Sequence, residues 1–126
     1  MRTVATLLTG LVALEHVGIM LVEMFFWDHP LGRKIFNMTP EVSAVSKVLA
    51  ANQGLYNGFL AAGLFWGLGR RDVRVTVFFL VCVAIAGIFG GFTAKTSILV
   101  TQFLPAALAL GAYFLSRTSS SGADHG

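Results

Sequence analysis

Residues 51–63 read ANQGLYNGFLAAG, placing Asn52, Gln53, Tyr56 and Asn57 among three glycines in an otherwise apolar stretch. Amides in hydrocarbon need partners, so a spanning helix with this composition needs a reason to carry them. Whether the stretch spans is decided by its surroundings. The 126-residue chain is 56% hydrophobic and only 12% charged, with a mean hydropathy of +0.76. That is the composition of a chain dissolved mostly in lipid, long enough for one compact domain.

Working outward, Thr39, Pro40 and Glu41 form an N-cap, an N1 proline and an early acid, a helix start. The helix they open runs to Gly69, roughly 43 Å at ~1.5 Å per residue against a hydrocarbon core of ~30 Å. Its first turns therefore project into the headgroups. Before it, DHPLGRKIFNMT (28–39) contains Pro30 and Gly32 as breakers and suits a small cap or re-entrant turn. Residues 3–27 form the first apolar run. It is too long for a signal peptide and lacks an A-x-A site, so it reads as a span anchored by Trp27 at the interface.

After the long helix, Gly67 and Gly69 terminate it and Arg70 and Arg71 complement its dipole, while Asp72 caps a third span over 73–92. A tight connection at 93–96 leads to a fourth span over 97–115, in which Pro105 frees a carbonyl near Thr101 and favours a kink. Trp66 and Tyr113, near the same ends, read as interfacial belt. The expected fold is all-α: a four-helix transmembrane bundle, up-down-up-down, over residues 1–115. The tail SRTSSSGADHG (116–126) is expected to be disordered.

Nine Lys and Arg exceed six Asp and Glu. They punctuate loops and form no aromatic-basic patch, so no nucleic-acid partner is expected. With the N-terminus inside, Arg2, Arg70, Arg71, Arg74 and Arg117 face the cytoplasm, against Arg33, Lys34, Lys47 and Lys95 outside. The clustering of three arginines in one short loop favours a multi-pass cell-membrane protein with both termini cytoplasmic. The near balance leaves dual topology open. Cys82 stands alone, so no intrachain disulfide exists.

The polar residues converge in depth. Helix 1 carries Glu15, His16 and Glu23, the last two seven apart and so nearly on one face. Glu15 and His16 fall near the midplane, as do Asn52, Gln53, Tyr56 and Asn57 on helix 2, whereas Glu23, Lys47 and, on helix 4, Gln102 sit somewhat nearer the outside. Intramembrane ionisable groups cost at least about 2.5 kcal/mol each and default to function. Glu15, His16 and Glu23 are the catalytic candidates, and the four residues of helix 2 with Gln102 are the ligand-binding candidates. The competing readings are carboxyls used only for packing, a satisfied core histidine and amides acting as interhelical glue. The GxxxG spacings 54/58, 63/67 and 87/91 suit close helix packing, and such faces also suit a homo-oligomer. No HxxxH or HxxE spacing accompanies His16, and His29 and His125 lie outside the spans, so neither a metal nor a haem is expected and no cofactor is assigned.

VALEHVGIMLVEMFFW (12–27), GRKIF (32–36) and KVLAANQGLYNGFLAAGLFWGL (47–68) resemble an uncharacterised family of small four-helix bacterial membrane proteins, a domain of unknown function. The resemblance covers the chain up to its tail. It implies fold, membrane location and the characteristic residues, but no activity.

Two functional classes follow. One is a membrane-embedded acid-base enzyme or binding protein for a lipophilic, isoprenoid-like small molecule. In it Glu15 delivers a proton, His16 or Glu23 accepts one, and the amides orient a hydroxyl or carbonyl. The other is a proton-coupled small-molecule transporter working as a dimer. A structural or partner subunit is the third reading.

Overall fold

The computed structural model describes residues 1–123, and among these every regular element is helical. The order is α1 (Arg2–Phe25), α2 (Pro30–Ile35), α3 (Pro40–Gly69), α4 (Val73–Thr93), a π-helical turn (Leu99–Phe103) and α5 (Leu104–Ala123). The expected boundaries of the first three long helices hold to within about two residues. The local reasons hold with them. Thr39 Oγ1 accepts from the Val42 amide at 3.2 Å at the start of α3, and Asp72 Oδ1 accepts from the Arg74 amide at 3.0 Å and the Val75 amide at 3.4 Å to open α4.

Among the described residues three segments are long and apolar enough to cross a membrane: Arg2–Phe25, Val73–Thr93 and Leu99–Thr118. The 30-residue α3, the longest helix, is not among them. Its length suffices, but Lys47, Asn52, Gln53 and Asn57 dilute its hydropathy. The stretch that decides the fold is thus also the least lipid-like part of a long helix.

Contacts divide the chain into two compact units, Met1–Ala13 with the residues from Ala62 onward, and Leu14–Ala61. In the first unit the buried positions are mostly small: Ala5, Thr9, Ala84, Ala106, Ala109 and Ala112 surround Leu64, Leu80 and Val83. Large apolar side chains point outward, Leu7, Phe78, Phe89, Phe92 and Phe114 among them. This inverts the usual soluble arrangement and is the arrangement that close helix packing in lipid calls for. Hydroxyls are satisfied on their own helices, Thr9 by the Ala5 carbonyl at 2.8 Å and Thr76 by that of Asp72 at 3.0 Å.

Glycines set the helix pairings of this unit. A Cβ at Gly63 would strike the Phe79 ring, and one at Gly67 would strike Thr76, so α3 and α4 pack through the 63/67 pair. Gly87 faces the Phe103 backbone and Gly91 faces Leu99. As α4 advances its partner recedes, which makes α4 and the following segment antiparallel, as their brief connection requires.

Three local expectations change. The left-handed residue ending α3 is Arg71 (φ 52°), and among the described residues no glycine has positive φ. The Asp72 amide bonds to the Gly67 carbonyl at 2.9 Å and the Arg71 amide to that of Leu68 at 3.1 Å, a Schellman closure. Because Asp72 must already cap α4, the turn is too short to place its left-handed position anywhere but Arg71. Second, helix 4 is helical from Ser97 but its first turns contain a π-helical turn at Leu99–Phe103, in which the Leu104 amide bonds to the Leu99 carbonyl immediately before Pro105. Third, α5 continues beyond 115 to Ala123, with the Ser116 hydroxyl bonded to the Tyr113 carbonyl at 2.7 Å. Residues 124–126 of the expected tail lie outside the described residues.

Candidate functional site

The second unit, Leu14–Ala61, holds most of the candidate site. Within it α1 and α3 are antiparallel. A Cβ at Gly54 would lie 2.7 Å from Met24 Cγ, 3.0 Å from Glu23 Cβ and 3.1 Å from the Met20 carbonyl, and one at Gly58 would lie 2.7 Å from Met20 Sδ. Glycine at 54 and 58 is what lets the helices approach so closely. Asn57, next to Gly58, then reaches across: its Nδ2 donates to Glu23 Oε1 at 2.6 Å. Both residues are half-buried. Two partners 34 positions apart, both singled out by the sequence, meet here.

Helical phase explains which other candidates join them. Taking Gly54 as the reference at about 100° per residue, buried Ala50 and Ala61 lie within about 40° of it, Asn57 about 60° away, Gln53 about 100°, and Asn52 and Tyr56 about 160°. Asn52 and Gln53 are accordingly exposed, and Tyr56 is 56% exposed, its ring edge-on to Phe59. These three do not meet Glu23. On α1, His16 is fully buried and Glu15, one residue round, is half-buried. Gln102 belongs to the other unit, half-buried in the π-helical turn.

At the end of α1 the structure adds a second polar cluster that the sequence reading did not single out. Asp28 Oδ1 accepts from the Ser43 hydroxyl at 2.7 Å and from Arg33 Nη2 at 2.9 Å, and Arg33 Nε donates to Ser43 Oγ at 3.1 Å. The Ser43 hydroxyl and the Arg33 guanidinium hold the Asp28 carboxyl below the usual carboxylate range. Trp27, expected as an interfacial anchor, donates from Nε1 to Ser46 Oγ at 2.9 Å and packs on Phe36 at 4.8 Å. The turn depends on Gly32, whose Cβ would collide with the Phe26 and Trp27 backbones. Asn37 (φ 52°) closes α2, and the Met38 amide bonds to the Arg33 carbonyl at 2.9 Å. The one hint in the sequence was GRKIF, which contains both Gly32 and Arg33.

Residues 10–114 match the family described as "Protein of unknown function (DUF1304)". The chain belongs to this family. The DUF1304 match takes in α1 from Gly10, all of α3 and α4, and most of α5, so every candidate residue lies inside it. The chain is also similar to "Uncharacterized protein YpaA" of Lactococcus lactis subsp. lactis (strain IL1403), 32% identical over 114 residues, which span 87% of this chain and 96% of that one. No solved structure matches. The resemblance read from the EH, EM and NQGLYNG motifs, to a family of unknown function, is thereby shown.

Proposed function

We propose that this DUF1304 protein is an integral membrane protein in which α1, α3, α4 and α5 each cross the bilayer, and that Glu23 and Asn57, with Glu15 and His16, form an intramembrane acid-base site for a lipophilic small molecule. The observation that carries the reading is the 2.6 Å hydrogen bond between Asn57 and Glu23 across α1 and α3. A carboxyl placed among apolar helices and oriented by an amide is equipped to exchange a proton with a hydroxyl or carbonyl that reaches it from the lipid. Asn57 fixes the carboxyl's direction, and His16 and Glu15, about two turns along the same helix, supply further proton-carrying groups. Asn52, Gln53 and Tyr56 lie on the outward face of α3, so in this reading the site is narrower than the sequence implied.

Proton-coupled transport is the second reading. The π-helical turn Leu99–Phe103 before Pro105 favours it, because interrupted helices give transporters their bending points. Lipid extracts of cells expressing the protein or its Glu23→Gln form separate the two. An enzyme changes the chemical species present. A transporter changes only their distribution across the membrane. If extracts and distribution are the same for both proteins, neither reading stands.

A further inference from the structure

The first unit contains a cavity of about 390 Å³, lined by Arg2, Thr6, Arg71, Asp72, Thr76 and Tyr113 along with three apolar or glycine positions. Its volume falls in the range of small-molecule sites. Arg2 opens α1, and Arg71 and Asp72 make the turn between α3 and α4, so the cavity sits at helix ends. Among the described residues neither Arg2 nor Arg71 has an ion pair. The Arg2 guanidinium lies 5.7 Å from the centroid of the Tyr113 ring.

Tyr113 carries the argument further. The sequence placed it in the interfacial belt, yet it is only 4% exposed, and its hydroxyl has no hydrogen-bond partner among the described residues. Among the described residues no buried side-chain oxygen or nitrogen lacks a partner, so this hydroxyl reaches accessible space while the ring is buried. Asp72, the one carboxylate in the lining, has Oδ1 taken by the Arg74 and Val75 amides. Two guanidinium forks and a free phenol thus face one space with a single, backbone-committed carboxylate. Arg70 and Arg74 flank the same turn and add to the positive potential.

We propose that this cavity binds a phosphate-bearing anion through Arg2, Arg71 and Tyr113. Guanidinium forks match the oxygens of a phosphate, and the ends of membrane-length helices lie at the depth of lipid phosphates. Arg71 occupies the left-handed position where glycine is the usual residue, so the turn carries a guanidinium at a backbone position that does not favour it.

The test uses the full chain in neutral detergent, titrated with phosphatidylglycerol or with diacylglycerol of the same chain length and read by native mass spectrometry. Phosphatidylglycerol binds and diacylglycerol does not. Arg2→Gln with Arg71→Gln, which removes charge and both phosphate contacts, weakens binding by at least about thirtyfold, ~1 kcal/mol per arginine near a membrane surface, whereas Arg70→Gln with Arg74→Gln lowers only the surrounding potential and weakens it by a smaller factor. Tyr113→Phe, which removes only the hydroxyl, weakens binding by a smaller factor and keeps the test decisive should the double variant misfold. Competition with inorganic phosphate distinguishes the sources: displacement assigns the site to a free phosphate, and persistence assigns it to a lipid headgroup. Equal binding of diacylglycerol, or equal weakening by the Arg70 and Arg74 changes, overturns the proposal.

Discussion

Asn57 and Glu23 show how much one hydrogen bond settles in this protein. The two residues were legible in the sequence as types that belong to one polar site, but their pairing was not. Counting along the helices put Asn57 near the midplane and Glu23 nearer the outside, and left four polar candidates on α3. Gln53 is four residues before Asn57 and nominally shares its face, yet it falls outside because the contact face is centred on Gly54 and Gly58 and Asn57 is nearer to it. Removing the bond has a measurable cost. Asn57→Leu lowers stability by about 0.6–2 kcal/mol, the worth of an interhelical hydrogen bond in lipid, while Asn52→Leu changes it little. Unfolding in detergent followed by tryptophan fluorescence compares them.

Asp28 makes a second residue-scale prediction, through pH. Its folded-state pKa is lowered, first by Ser43 and then by Arg33, so its carboxylate favours the folded state wherever it is ionised. That contribution is present above the ordinary carboxyl pKa of about 4 and is lost as pH falls through the lowered folded value. Both side chains of the Arg33 pair are 29% exposed, so water and salt screen the ion-pair part. Thermal unfolding between about pH 6 and pH 3 shows a shallower acid decline for Asp28→Asn than for the unaltered protein. Identical slopes would remove Asp28 from the account.

At the scale of elements, caps were readable and close approaches only half so. Thr39 and Asp72 act on amides two or three residues away, and such local chemistry is written in the sequence. GxxxG spacing announces close packing without naming the partner. Here the partners of the three pairs are this chain's own Met20 and Met24, Phe79 and Thr76, and Phe103 and Leu99. Gly32→Ala is predicted to be more damaging than Gly54→Ala. The added methyl at 32 meets three backbone atoms inside contact distance, while at 54 its nearest neighbour is a side-chain carbon, Met24 Cγ at 2.7 Å, and the nearest backbone atom is the Met20 carbonyl at 3.1 Å. Overpacking of this kind costs about 1–3 kcal/mol, and thermal unfolding ranks the two. Arg71→Gly acts in the other direction, relieving a left-handed backbone worth roughly 1 kcal/mol. The same substitution removes a guanidinium from the cavity, so unfolding and lipid binding move in opposite senses.

For the whole molecule, hydropathy marks three of the described helices as long and apolar enough to cross a membrane and leaves α3 out. Buried positions are mostly small residues and hydroxyls, many large apolar side chains are exposed, and α3 departs from its neighbours in hydropathy because of its amides; in the proposed reading it carries the polar wall of the site. A helix of 30 residues with Asn52, Gln53 and Asn57 in its middle is less lipid-like than its neighbours for the same reason that it is the element of interest. Tyr113 was misplaced by the sequence reading for a related reason. Its position near a helix end fits a belt residue, and only the tertiary packing reveals that it points inward.

The central claim, an intramembrane site built on Glu23 and Asn57 that takes a lipophilic molecule, is tested most directly by mass spectrometry of small molecules that copurify with the protein extracted in mild detergent. A lipophilic species bearing a hydroxyl or carbonyl is predicted to copurify with the unaltered protein and to be lost from folded Glu23→Gln and Asn57→Leu while persisting with Asn52→Leu. Retention of the same species by all three variants, or its absence from the unaltered protein, would contradict the account.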